Sequence, residues 1–532
     1  MCIIKNNMTT NKNRALLFEH FFASPSAVFL AFFFVCLLAY AKSFQNGFML
    51  DDHIILFGQS GVLNKSFLGL FTFHQGDFYR PVGHIPLWIF SRLLASNYIA
   101  YHVVNFSFFV SIVFLFFILV RKITSDATLS FLSALLYAIH PLNAMIINYI
   151  TASVLAVFVL SMQMSFLFFI FFLERGQKRD YIFSLIFFIL ACLSHEMAMM
   201  LPVYLTVYLF LVKKEDWNKI FQLLLPFALF LMGWLAFRIQ DIIFQHQLNN
   251  PVSAVAVNMA AFFSTWMDLA IWYVSSLFFP SKVIFLWSNP YGQEHLLRNV
   301  IIFALAVGLS AYAFLQWKKS WKSFLLMVFI LGFFPTVFTC FGNFPRVWPS
   351  IEPHWFYFSQ IGFFVLIGSV LLALARKSLL VGGVCGISVI FLLLIGGWSY
   401  NSRWKSQETY SIYWLSLNPG NLTPYYGLGS SLMDKGDYLG ARDCFWSGYE
   451  RLKYTNIQMA ADLGHCFDML GVDQVAWKWL STASKWDDHY ALTYHYIGLY
   501  FNKRGKLLEA QKAFEKSVEL DPKFSSSYGY LK

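Results

Sequence analysis

Two adjacent carboxylates, Asp51 and Asp52, stand just beyond the first long apolar stretch of the chain, and a guanidinium follows in the motif Phe78-Tyr79-Arg80-Pro81. Ionised residues kept beside a bilayer are costly, so a pair placed there points to chemistry. A carboxylate can take the proton of a weak nucleophile such as a hydroxyl. A planar, permanently charged guanidinium can grip a phosphate through two parallel hydrogen bonds. Three further polar groups border apolar runs: Ile139-His140-Pro141, Ser194-His195-Glu196 and Glu352-Pro353-His354-Trp355. All are expected at one face of the membrane, where with Tyr79 and Arg80 they would line a single outward-facing pocket. Plainer roles exist for each. Asp51 and Asp52 also suit a solvated loop, His140-Pro141 a helix end and His195-Glu196 a packed loop pair. His354-Trp355 suits an interfacial anchor, and Arg80 a lipid headgroup contact. Adjacent acids are, besides, the oxygen donors that hold Mg²⁺ or Mn²⁺.

The elements that must position these residues are helices in a membrane. Hydrophobic residues make up 58%, aromatics 20% and charged residues only 13% of the 532, about half the charge of an ordinary soluble domain. Apolar runs at 27–40, 103–120, 154–173, 221–237, 300–315, 324–339, 356–374 and 379–395 are long enough, slightly extended, to cross a bilayer. Shorter runs at 129–139 and 181–193 fit only inside a bundle, and 251–280 reads as an interfacial or re-entrant helix, giving about 11 spans. The first run is expected to stay as an anchor, since it lacks a small-residue cleavage site. Basic residues at Lys12, Arg14, Arg121, Lys122, Arg175, Lys178, Arg179, Lys213, Lys214, Lys318, Lys319, Lys322, Arg376 and Lys377 mark alternate connections as cytoplasmic. The N-terminus then lies inside, and the loop 42–97 and the C-terminus outside. The net charge of +11 follows from those loops and does not call for nucleic acid. Seven scattered cysteines give neither a metal spacing nor a disulfide framework.

After Trp398 the apolar runs stop and a period of about 34 residues begins, that of a tetratricopeptide helix pair. Leu428-Gly429, Leu463-Gly464 and Ile497-Gly498 share one position; Ala441, Ala476 and Ala510 share a second; Phe445, Leu480 and Phe514 share a third. Glycine and alanine let two helices approach, and the larger residue fills the gap. Repeats are therefore expected at 422–455, 457–490 and 491–524. The chain divides into a membrane domain, 1–400, and a repeat domain, 401–532, so that the fold class is all-α.

In this order the motifs resemble those of a known family, the membrane glycosyltransferases of the GT-C fold, and within it the transmembrane tetratricopeptide-repeat O-mannosyltransferase type and its bacterial relatives. The matching residues are Asn46, Phe48 and Asp51-Asp52, then Tyr79-Arg80-Pro81, His140-Pro141, His195-Glu196 where the family more usually has Lys-Glu, and Glu352, His354, Trp355 and Tyr357, followed by the repeats. The resemblance implies transfer of a sugar from a polyprenyl-phosphate-linked donor to a hydroxyl acceptor, protein Ser or Thr above all, on the periplasmic face of a bacterial inner membrane. It assigns the base role to Asp51, with Asp52 orienting acceptor or sugar. Arg80 is the candidate phosphate clamp on chemical grounds. Tyr79, His140, His195, Glu196, Glu352 and His354 are the further donor- or substrate-binding candidates, and a divalent cation on Asp51 and Asp52 is the possible cofactor. One direct displacement would invert the anomeric configuration.

Two other classes compete. A transporter or lipid flippase with a repeat module is disfavoured, because no pair of internal repeats with broken helices is evident and the acids lie at one face. A membrane-anchored scaffold for envelope assembly, in which the repeats bind a peptide or protein, leaves the ordered polar motifs without a role.

Overall fold

The computed structural model describes residues 21–57, 61–72, 78–249, 259–288, 295–337, 350–452, 456–522 and 530. Lys12, Arg14, the start of the 251–280 stretch and the last residues of the runs expected at 324–339, 422–455 and 491–524 lie outside them. Among the described residues the regular structure is helical except for two dipeptide strands, Trp287–Ser288 and Ser350–Ile351. The chain falls into two units: Met1–Phe48 with Lys65–Leu286 and Tyr291–Ser402, and Met49–Asn64 with Trp287–Pro290 and Arg403–Lys532.

Among the described residues of the first unit, eight helices are long and apolar enough to cross a membrane: Pro25–Gln45, Tyr98–Thr124, Ile150–Arg175, Glu196–Lys213, Trp217–Gln240, Leu296–Trp317, Gln360–Lys377 and Leu379–Arg403. A ninth arises if Ala127–Ile139 and Pro141–Asn148, which meet at 66°, are one bent span. The count of about 11 included a run whose helix, Lys178–Cys192, has 15 residues. That is roughly 22 Å at 1.5 Å per residue, short of a hydrocarbon layer of about 30 Å. Met259–Phe278 is a 20-residue helix carrying Asp268 and is not among these eight.

Burial ranks the spans. Ile150–Arg175 has 72% of its apolar window inside the protein, whereas Leu379–Arg403 has 11% and Leu296–Trp317 none, so the first is central and the last two are peripheral. Lipid tails give helices no hydrophobic drive to associate, and packing and interhelical hydrogen bonds must hold them. Phe32 stacks on Phe131 with centroids 4.9 Å apart, and Tyr273 on Phe356 at 3.8 Å. The Ser165 and Ser184 hydroxyls each donate to the other's carbonyl, at 2.7 and 2.8 Å. Helix starts are capped by Asn97, accepting from Ala100 N, and Asp126, accepting from Leu129 N, caps of about 1 kcal/mol each.

The second unit holds helix Gln407–Leu417 and three helix pairs: Thr423–Asp434 with Tyr438–Leu452, Ile457–Met469 with Asp473–Trp486, and Ala491–Lys503 with Leu507–Leu520. These are the expected repeats. A Cβ placed on Gly429, Gly464 or Gly498 would lie closer than 3.0 Å to Phe445, Leu480 or Phe514 respectively. The third member of each sequence triplet thus sits directly on the first. Ala441, Ala476 and Ala510 are buried beside them. The turns inside the pairs are made by Gly436, Gly471 and Gly505, all at φ near 70–78°, a left-handed conformation that costs any other residue. The first helices of successive pairs pack on one another, giving a tetratricopeptide-like α-solenoid.

Candidate functional site

Two loops of the first unit are sewn together by backbone. Val82 N donates to Leu193 O at 3.1 Å. Beside this link Gly83 has no room for a side chain, since a Cβ there would meet Val154 Cγ1 at 2.6 Å and Ser194 O at 3.2 Å. Gly83→Val should therefore overpack the junction at a cost of about 1–3 kcal/mol, visible as a lowered Tm in detergent; an unchanged Tm would mean that the loops are not held at this point.

The junction presents Arg80 to Glu196. Nε and Nη2 of the guanidinium donate to Glu196 Oε2 at 3.0 and 2.8 Å, and its carbon lies 4.3 Å from the centroid of the Phe78 ring. His84 Nδ1 donates to Arg80 O at 2.7 Å, which fixes the tautomer; burial pushes this imidazole down to about 4. His195 Nδ1 accepts from Met197 N at 3.2 Å and lies 3.7 Å from Glu196 Oε2. Its ring stands edge-on to His354, centroids 5.3 Å apart, and His354 Nδ1 is 3.1 Å from Glu352 Oε2.

Burial holds His195 well below the ordinary imidazole range, and the Arg80 charge adds to it. His354 is held down by burial first, then by His195 and Arg80. Both rings are therefore neutral at pH 7. Since His195 Nδ1 accepts, its proton sits on Nε2, a buried donor with no acceptor among the described residues, and His354 Nε2 is likewise buried without a partner among them. Three separated stretches of sequence thus converge on one fixed cation, one carboxylate opposite it, a second carboxylate, and ring nitrogens able to hydrogen-bond a ligand.

The other candidates of the first unit make contacts of their own. Tyr79 donates to Phe71 O at 3.1 Å and packs on Phe237 at 5.3 Å. Buried His140 uses both ring nitrogens on backbone, Nε2 with Leu277 O at 3.1 Å and Nδ1 accepting from Leu142 N at 3.2 Å, as the hinge of the bent helix pair. Asn46 joins a buried amide chain: its Nδ2 donates to Asn148 Oδ1 at 3.1 Å, and Asn148 Nδ2 donates to Asn401 Oδ1 at 2.7 Å.

Asp51 and Asp52 belong to the second unit. Asp52 is buried and its Oδ2 accepts from Met49 N at 2.9 Å, closing the turn that starts helix Asp52–Phe57. Asp51 is half-buried. Between Met49 and Asp51, Leu50 adopts a left-handed φ of 52°, a conformation costing a non-glycine residue roughly 1–2 kcal/mol. Its N–H donates to Gln407 Oε1 at 2.7 Å. Strain of this kind concentrates at functional positions. Among the described residues, the three-residue grouping of metal-type ligands is Asp487, Asp488 and His489, all exposed; Asp51 and Asp52 are two oxygen donors without a third protein ligand in such a grouping.

Reading the sequence passed over His84, four positions after Arg80 in the same loop, and Asp462 and His465, which share one helix with the repeat glycine Gly464. In each case a titratable residue at helical spacing from a recognised motif was the available signal.

Fold and site define a class: an all-helical chain with membrane-spanning-type helices and a tetratricopeptide-like solenoid. No family model and no curated protein matches the chain. Solved structures similar to parts of it include that of MamA, at 26% identity over 23% of this chain and 70% of that one, with a TM-score of 0.21. YrrB, described as a TPR protein with an unusual peptide-binding site, matches at 24% identity over 23% of this chain and 62% of its own length, with a TM-score of 0.20. The APC/C hetero-tetramer Cut9-Hcn1 matches at 12% over 76% of each chain, with a TM-score of 0.25. The repeat assignment accordingly rests on the chain's own glycine, alanine and aromatic contacts.

Proposed function

We propose that this chain is a membrane-anchored protein whose solenoid docks a polypeptide. The observation that carries the reading is the stack of three helix pairs whose first helices bring Tyr426, Asp462, His465 and Tyr496 together on one layer. Stacked repeats of this kind offer an extended surface for a partner chain. The peptide-binding site named for YrrB agrees with it.

A second, finer reading is favoured by the Arg80–Glu196–His195–His354 group, for which a scaffold has no need. In it the chain transfers a glycosyl group from a polyprenyl-phosphate donor to a hydroxyl of a polypeptide. Asp51 takes the hydroxyl proton as the oxygen attacks the anomeric carbon, the bond to phosphate breaks, and the configuration inverts. Arg80 meets the leaving phosphate on the side of its guanidinium that Glu196 leaves uncovered. A Mg²⁺ or Mn²⁺ ion, taking one or two carboxylates besides phosphate oxygens, would be held by Asp51 and Asp52. The site would face the periplasm of a bacterial inner membrane.

One comparison separates the readings. Intact masses of envelope polypeptides are measured in cells with the wild-type chain, with Asp51→Asn, and without the chain, together with what co-purifies with each. Transfer requires a hexose-sized increment on a co-purifying polypeptide that Asp51→Asn removes. If co-purification persists while no mass depends on Asp51, transfer falls and docking stands. If no polypeptide co-purifies reproducibly, docking falls as well.

A further inference from the structure

We propose that Asp462, with Tyr426 and Tyr496, forms a subsite in the solenoid for a cationic side chain, lysine or arginine, of the docked polypeptide; this rests on the docking reading above. The carboxylate lies in the middle helix pair, 4% exposed, and its Oδ1 accepts from the Tyr496 hydroxyl at 3.0 Å. Tyr426 of the preceding pair is its second hydrogen-bond partner. His465, one turn further along the same helix, stacks on the Tyr496 ring with centroids 4.3 Å apart and planes 1° from parallel. The acid therefore sits at the hydroxyl edge of these phenols, and its ionised form is what attracts a cation.

The second buried acid of the solenoid shows what Asp462 lacks. Asp468, 2% exposed, accepts from Arg504 Nη1 at 2.7 Å, and Lys503 Nζ stands 3.9 Å from it. Among the described residues Asp462 has no cationic partner, and the charged group that bears on it is another acid, Asp434. A buried carboxylate is costly unless paired. Asparagine would accept the Tyr496 hydrogen bond through Oδ1 without the charge. A cation arriving from outside would supply the missing partner and favour the ionised carboxylate.

The test uses the full chain in detergent and two fluorescein-labelled decapeptides of glycine and serine, one with two central lysines and one with two central glutamines in their place, read by anisotropy. The lysine peptide should bind on the order of 10-fold more tightly to the wild type. Asp462→Asn should erase the preference, and Tyr496→Phe should weaken it while leaving the carboxylate. Equal binding of the two peptides to wild type, no binding of either, or a lysine preference that survives Asp462→Asn overturns the subsite. Reproducible co-purification of a polypeptide with Asp462→Asn would still leave docking in place. Helicity by circular dichroism keeps a misfolded variant from being read as loss of binding.

Discussion

Arg80→Met is expected to destabilise the membrane unit by about 3–5 kcal/mol, the usual cost of leaving one member of a buried ion pair uncompensated. The Arg80 and Glu196 side chains are only 12% and 20% exposed, and among the described residues Glu196 Oε1 is buried without a hydrogen-bond partner. The loss should shrink in acid. Arg80 is one of the two causes holding His195 down; once it is gone, His195, 3.7 Å from Glu196 Oε2, can protonate and replace the missing cation as the pH falls. The double variant Arg80→Met/Glu196→Met should recover most of the stability, because a buried pair exchanged for apolar residues of similar volume is often neutral. Thermal unfolding in detergent at pH 5.5 and 8 measures all three. A single variant as stable as wild type, or a double variant no better than the single, would refute the account. Under the transfer reading the recovered double variant should still be inactive.

Asp462→Asn should have the opposite sign and stabilise the solenoid at neutral pH. Burial, partly offset by the Tyr496 and Tyr426 hydrogen bonds, raises the Asp462 carboxyl to about 7, against about 3.9 in an unfolded chain. Below pH 4 both states hold the proton and the residue costs nothing. From 4 to 7 only the folded state holds it, so the wild type loses about 1.4 kcal/mol per pH unit, and above 7 the deficit stays constant at no more than about 4 kcal/mol. The other titratable groups around it are Asp434, Tyr426, Tyr490, Tyr496, His465 and Cys466. The tyrosines and the thiol are driven up by burial and His465 down to about 4. Hydrogen exchange of the amides in Ile457–Met469 should show the wild type slackening between pH 5 and 8 and the Asn variant not. A variant less protected at pH 8 would contradict the charge argument. Stability forgone at a surface meant for a partner is the usual trade.

The repeats were legible because their contacts are local and periodic: Gly464 meets Leu480, sixteen positions on, and the turn glycines Gly436, Gly471 and Gly505 repeat the same spacing. The spans were legible as apolar runs, although a run such as 181–193 gives no sign of whether its helix crosses a membrane alone. The polar motifs were legible as residue types beside those runs. Their pairing was not, since Arg80 and Glu196 are 116 positions apart and nothing in either motif names the other. The left-handed turn at Leu50 left no trace, because leucine is not a residue that favours it, and the group that receives its N–H, Gln407, is 357 positions away.

That last contact has a consequence for how the chain is divided. Gln407 is the first residue of the helix that precedes the repeats, yet it ties down the backbone immediately before Asp51. The acids are written in the first tenth of the sequence and held by its last quarter. A protein trimmed at Ser402 would keep every apolar span and both carboxylates while losing the anchor that shapes their turn. Helix Gln407–Leu417 therefore belongs with the Asp51 turn, and a chain cut before it would leave that turn unsupported.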